Sequence, residues 1–174
     1  IAFRDKVARE LDLDLIVHTN TAAIEAGMNP RDYPKLVCCK ALKTDALQQV
    51  IKEYEFDGLI VGVRRDEEGS RSKERVFSER NANDQPPELW DQFKTDFPKG
   101  NHIRVHPLLA WSEIDIWEYI RRENIPIIDL YFAKDGYRYR SLGCAPCTGK
   151  IKSNAATVDE IIEELRHTTT GERA

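Results

Sequence analysis

The chain has 174 residues and a mass of 20.1 kDa, with 41% hydrophobic residues, which suits one domain with a core of ordinary size. A formal net charge of −4 excludes non-specific nucleic-acid binding as the main activity, because that needs a broad positive surface. No run approaches the ~20 consecutive apolar residues of a membrane helix and no cleavable leader opens the chain, so a soluble, cytoplasmic protein is expected, with neither a nucleic-acid nor a membrane partner.

The opening residues 1–11 have helical spacing, with Ile1, Phe3, Val7 and Leu11 interleaved with charges. The first residue is Ile1, so the chain reads as beginning inside a helix, and upstream sequence is expected. Leu13 to His18 (LDLIVH) predict a short apolar strand ending at Thr19-Asn20-Thr21, and residues 20–36, with Gly27, Pro30 and Pro34, a loop with a short helical piece. From Cys39 to Tyr54, apolar Leu42, Ala46, Leu47, Val50 and Ile51 recur every three or four residues and predict an amphipathic helix. Gly58 to Val63 (GLIVGV) is a continuous apolar run with β-branched residues, read as a strand buried on both faces.

Strand, helix, strand with short connections is a parallel α/β unit. The charged string that follows Val63 therefore falls at the carboxyl end of a parallel strand, where open α/β sheets bind ligands. Residues 76–101, with Pro86, Pro87, Pro98 and Gly100, predict an irregular excursion in which Trp90 and Phe93 are candidate interface anchors. Ile103 to Leu108 predict another strand. Ser112-Glu113-Ile114-Asp115 resembles a capping box opening a helix that buries Ile114, Trp117 and Ile120 and is closed by Pro126. Thr157-Val158-Asp159-Glu160 opens a second helix, striped by Val158, Ile161, Ile162 and Leu165. The expected organisation is a single domain over 1–174, with 137–174 as a cysteine turn and terminal helix.

The string from Arg64 to Arg75 (RRDEEGSRSKER) carries the densest chemistry. Guanidinium forks make bidentate contacts to sulfate or phosphate oxygens, and the intervening carboxylates can orient them or hold Mg²⁺. A solvated charged loop is the bland alternative. Pattern alone reaches an anion site at a sheet's carboxyl edge. Four cysteines, Cys38-Cys39 and Cys144-Ala-Pro-Cys147, occur with no secretory signal, so metal or redox chemistry outranks structural disulfides. Zinc usually takes ligands separated by a two-to-four-residue spacer, which adjacent cysteines lack. Buried cysteines packing as small hydrophobes remain the plain alternative.

GVRRDEEGSRSKERVFS, followed in order by PPELW, IRVHPLLAWSEIDIWEYI, IPIIDLYFA and RYRSLGCAPCTG, resembles the small-subunit family of heterodimeric sulfate adenylyltransferases. That family lies in the adenine-nucleotide α-hydrolase-like superfamily, beside the phosphoadenylyl-sulfate reductases. The resemblance implies an α/β fold with a five-stranded parallel sheet and helices on both faces. It implies an ATP-dependent nucleotidyltransferase that joins sulfate to the α-phosphorus of Mg²⁺-ATP, releasing pyrophosphate and adenylyl sulfate. It also implies a larger GTPase subunit as partner. Carried over by position, Arg64, Arg65, Asp66 and Arg71 are the catalytic candidates, and Glu67, Lys73, Arg75 and Lys43 the substrate-binding ones. The family's Ser-x-Gly-Lys-Asp-Ser pyrophosphate loop is absent from residues 1–174, so the N-terminal part of the fold is expected to be missing.

The cysteine spacing resembles the arrangement by which adenylyl-sulfate reductases hold a [4Fe-4S] cluster, which makes Cys38, Cys39, Cys144 and Cys147 metal-ligand candidates. Lys40 and Lys43 follow the first pair as either substrate contacts or a polar helix face, while His18 and His106 read as packing residues. Two rival functions remain. One is a thiol-dependent iron–sulfur reductase, which needs a further cysteine on a tail beyond Gly171-Glu172-Arg173-Ala174. The other is a non-catalytic adenine-nucleotide module.

Overall fold

In the computed structural model, which describes residues 1–80, 102–170 and 172, the helical spacings become helices and the apolar runs become strands only where a neighbour exists. These residues gather into two compact units within the span read as one domain: Ile1–Gln49 with Trp117–Thr168, and Val50–Ile116 with Thr169–Ala174.

In the first unit, α1 (Ala2–Glu10) and the short α2 (Thr21–Glu25) precede one long helical run. That run is α3 (Lys35–Cys39), a π-helical turn over Lys40–Thr44, and α4 (Asp45–Tyr54), whose last residues belong to the second unit. A π turn shifts the backbone ladder by one residue. Here the Asn20 side chain, which also caps α2, donates to the Ala41 carbonyl inside that turn at 3.0 Å.

The first unit's core forms where α6 (Val158–Arg166) buries Ile161, Ile162 and Leu165, with Trp117 of α5 (Glu113–Glu123) packed edge-on against Tyr131. The capping box predicted at Thr157 is present, with Thr157 Oγ1 accepting from the Glu160 N–H and the Glu160 carboxylate accepting from the Thr157 N–H. Two short strands, β4 (Tyr137–Arg138) and β5 (Ile151–Lys152), pair antiparallel and carry the second cysteine pair on the loop between them.

The second unit holds a three-stranded sheet in the order β1-β3-β2, built from β1 (Gly58–Ile60), β2 (Phe77–Arg80) and β3 (His102–Val105). β1 runs parallel to β3, as the strand-helix-strand pattern requires, and β2 runs antiparallel to it, Phe77 opposite Val105 and Arg80 opposite His102. Among the described residues the arrangement is α/β with a small mixed sheet, in which the expected parallel pairing is that of β1 with β3.

Two strand expectations also change. Leu13 to His18 form no strand among the described residues, and Leu13, Leu15, Ile16 and Val17 are exposed. An apolar run supplies β-propensity but not the hydrogen-bonding neighbour that a strand needs. The run from Gly58 is strand only to Ile60; among the described residues β1 lies at the sheet's edge, and Ile60 is 81% exposed, so the strand is not buried on both faces. The excursion expected from residue 76 opens with strand β2, and its candidate anchors Trp90 and Phe93 lie outside the described residues.

Val63 and Leu109 are buried apolar residues of the second unit, beside the buried polar Arg64, Glu67, Ser78, Arg80, His102, His106 and Glu113. Among the described residues no helix is long and apolar enough to cross a membrane.

Candidate functional site

The charged string leaves β1 and returns at β2, so both its ends are held by the sheet of the second unit. Arg64 enters it buried. Its Nε donates to Asp66 Oδ1 at 2.9 Å and its Nη2 to Glu172 Oε2 at 2.6 Å, far along the chain. Burial disfavours the guanidinium's charge, but the bonds and charges of Glu172 and Asp66 outweigh it and raise its pKa further. The second oxygen of Asp66 accepts the Glu113 N–H at 2.8 Å, at the positive first turn of α5. Ser112 and Asp115 cap that turn reciprocally.

Glu67 is buried and pairs with Arg71 Nε at 3.0 Å across the 3₁₀ turn Gly69–Arg71, with Glu68 at 3.9 Å on the same nitrogen. Arg65 is exposed. Its backbone N–H donates to the Leu109 carbonyl at 3.2 Å and its Nη2 to the Glu74 carbonyl at 3.1 Å. Lys73 is exposed and Arg75 half-buried, and among the described residues no carboxylate pairs with either side chain. Of the candidates in this string, Arg64 and Asp66 are thus committed to internal contacts, Arg71 is paired with Glu67, and Lys73 and Arg75 present whole charges.

Three side chains outside the predicted site hold the string's ends, Glu74 and His106 at its exit and Glu172 at its entry. Glu74 bonds Arg80 Nη2 at 2.8 Å and takes the Ser78 hydroxyl. Burial pushes its carboxyl up, yet the Ser78 bond, the Arg80 charge, the Arg75 N–H and His106 together hold it below the usual range. His106, 2% exposed, donates from Nδ1 to the Arg75 carbonyl at 2.7 Å. Glu172, the partner of Arg64, is separated from it by 108 positions, so no local pattern announces the pair.

The cysteines belong to the first unit. Cys38 is buried at the end of α3, Cys39 and Cys144 are half-buried, and Cys147 is exposed at the end of the 3₁₀ turn Ala145–Cys147; all four are free thiols. Burial pushes the Cys38 thiol up, and Cys39, Cys144 and Cys147 push the same way, with the Lys43 ammonium opposing. The second pair is thus near enough to Cys38 to act on its charge, as is Lys43. As a donor set, four thiolates suit iron–sulfur ligation. Their placement does not yet make a cage, because among the described residues no group of three cysteine, histidine or acidic side chains is arranged to hold a metal ion. Lys40 is bound to both oxygens of Asp45 at 2.7 and 2.9 Å, and His18 bonds Gln49.

The loop carrying Cys144 and Cys147 is anchored by Arg138, whose side chain is fully buried. Its Nε and Nη2 meet Glu164 Oε1 at 3.1 and 2.6 Å, Ser153 Oγ bonds the other Glu164 oxygen, and Ser153 in turn accepts the Ala155 N–H. A signal for this was in the sequence: Glu164 falls on the same helical face as Ile161 and Leu165, and a charge inside an apolar stripe implies a buried partner.

Comparison with known proteins adds three findings. Residues 1–150 match the family model described as the phosphoadenosine phosphosulfate reductase domain. The chain is 40% identical to sulfate adenylyltransferase subunit 2 of Trichlorobacter lovleyi over 99% of its own length and 69% of the relative's. It is 42% identical to the proteins of that name from Sulfurimonas denitrificans and Rhizobium sp., over 99% of this chain and 69% and 70% of theirs. These alignments run over 208 positions, more than the 174 residues here, so the relatives carry residues with no counterpart in this chain.

Proposed function

We propose that this chain, which belongs to the phosphoadenosine phosphosulfate reductase domain family, is the ATP-using subunit of a sulfate adenylyltransferase. It joins ATP and sulfate into adenylyl sulfate and pyrophosphate. The observation that carries the reading is the similarity to subunit 2 proteins over 99% of the chain; it is supported by a string in which, among the described residues, no carboxylate pairs with Lys73 or Arg75.

In the reaction a sulfate oxygen attacks the α-phosphorus of ATP. The bond from that phosphorus to the bridging oxygen breaks, and pyrophosphate leaves with the electron pair. No covalent enzyme intermediate is needed. The protein's part is to hold the reactants in line and to neutralise charge as it moves onto the leaving group. Lys73 and Arg75, with the remaining donors of Arg65, serve the phosphate and sulfate oxygens. Arg64 and Asp66 act from within by fixing the string's first turn, and Glu67 by aiming Arg71. Mg²⁺ arrives with ATP. Lys43 stands with the cysteines, whose donor set suits a [4Fe-4S] centre once the thiols draw together. Such a centre would stabilise that part of the chain. A larger, GTP-hydrolysing subunit is the proposed partner and the cytoplasm the proposed location.

The test is sulfate-dependent exchange of labelled pyrophosphate into ATP by the full-length protein with its partner subunit. Thiol-dependent sulfite release from adenylyl sulfate without any exchange would transfer the assignment to the reductase. Anaerobic purification should yield a brown protein with broad absorption near ~400 nm. A colourless protein free of iron would remove the cluster but not the transferase.

A further inference from the structure

The function proposed above employs the cations of the string but not the side chain that holds its end. Beyond Arg71 the string passes Lys73, Glu74 and Arg75 into β2, and three successive carbonyls along that exit are each captured. Arg65 Nη2 reaches the Glu74 carbonyl at 3.1 Å, His106 Nδ1 the Arg75 carbonyl at 2.7 Å, and the His106 backbone N–H the Val76 carbonyl at 2.8 Å. The last of these merely extends the β2–β3 pairing past Phe77 and Val105. The bond to Arg75 is a side-chain contact at the point where the string stops being sheet.

A carbonyl has only lone pairs to offer, so the ring nitrogen facing it carries the proton. The ring is 2% exposed and directly follows the central strand β3, so it provides a fixed post to which the string is tied. A cation that must receive an anion cannot be fixed by a carboxylate without surrendering part of its charge. Tying down the neighbouring backbone leaves the cation whole. Among the described residues no carboxylate pairs with Lys73 or Arg75, so both are in that condition.

We infer that His106 is a positioning residue of the anion site: its Nδ1–H bond to the Arg75 carbonyl sets the direction in which Arg75, and with it Lys73, is offered to a phosphate or sulfate group. The inference deepens the transferase reading and rests on it.

The experiment compares His106→Leu, His106→Gln and His106→Asn in the intact protein. It measures affinity for inorganic pyrophosphate by calorimetry, and KM for ATP and kcat in the exchange assay with the partner subunit. An asparagine amide nitrogen stands near the place of Nδ1, whereas glutamine reaches toward that of Nε2. Leucine and glutamine should weaken pyrophosphate binding about tenfold, the effect of one lost hydrogen bond, and raise KM while kcat stays within about twofold. Asparagine should restore the affinity to within about threefold of the parent protein. Asparagine no better than glutamine overturns the inference, as does leucine binding as tightly as the parent or a parent protein that binds no pyrophosphate. Should the leucine variant not fold, the asparagine–glutamine comparison decides. A parent protein without sulfate-dependent exchange whose pyrophosphate affinity still follows the series would defeat the transferase and keep the post. Full exchange with affinity indifferent to the series would do the reverse.

Discussion

Two cations of one short string, Arg64 and Lys73, do different work. Arg64 is buried between Asp66 and Glu172, and truncating it strands two carboxylates in a partly dry site, which costs about 3 kcal/mol. Arg64→Ala should therefore lower the unfolding midpoint sharply, as read by chemical denaturation. Lys73→Ala removes an exposed charge with no carboxylate partner among the described residues and should leave stability within about 0.5 kcal/mol. It should nonetheless slow pyrophosphate exchange about tenfold or more, since a charge-assisted contact to a phosphate oxygen is lost. An exchange rate unchanged by Lys73→Ala would remove it from the site. Glu74 adds a pH signature. Its carboxyl titrates below the usual value near 4.5, so its contribution to stability is complete above that pH and disappears as the pH falls through the lowered value. The gap in melting temperature between the parent and Glu74→Gln should be wide at pH 7 and close toward pH 3. A gap that widens on acidification contradicts the ion-pair account. The string itself was readable from residue types, whereas the division of labour within it depends on Glu172 and on carbonyls, neither of which a linear pattern reveals.

Helices were the legible elements, because a 3.6-residue stripe and a reciprocal cap are written locally. The stripe of α6 and its Thr157 cap were both evident in advance and both formed. Ile161→Ala should cost about 3 kcal/mol and Thr157→Ala about 1 kcal/mol in urea unfolding, the first through a cavity and the second through lost capping bonds. Equal and negligible effects would show that α6 is not part of the cooperative core. Strands were less legible, since LDLIVH and GLIVGV have similar composition and only the second has β3 beside it. The π turn escaped notice for another reason: it adds a residue to a continuous helix without changing its hydrophobic stripe enough to be seen. It follows Cys39 directly, so deleting Thr44 should restore a regular helix and rotate Cys38 and Cys39 relative to α4. Thiol labelling of Cys38, slow in the parent because the residue is buried, should then accelerate while helical circular dichroism persists. Unchanged labelling would mean that the turn does not set the thiol's position.

At the scale of the molecule, an acidic chain of net charge −4 carries a local concentration of arginine and lysine, so composition alone points away from the proposed activity while the string points toward it. The relatives' name, subunit 2, bears on the assembly: the proposed activity should be weak in the isolated chain and restored by its partner subunit, as titrating that partner into the exchange assay will show. Full exchange by the isolated chain would contradict that dependence. The fold was less legible than the family, because a resemblance conveys the family's usual sheet, while the mixed β1-β3-β2 order depends on backbone pairings between residues far apart in sequence. The hairpin of β4 and β5 has a further consequence. Its stem is closed by Arg138, Glu164 and Ser153, none of which lies in the loop between the strands, so mounting and payload are encoded separately. A Cys144→Ala/Cys147→Ala protein should keep the slow amide exchange of α6. The thiols are thus carried as cargo on a mounting whose stability does not depend on them.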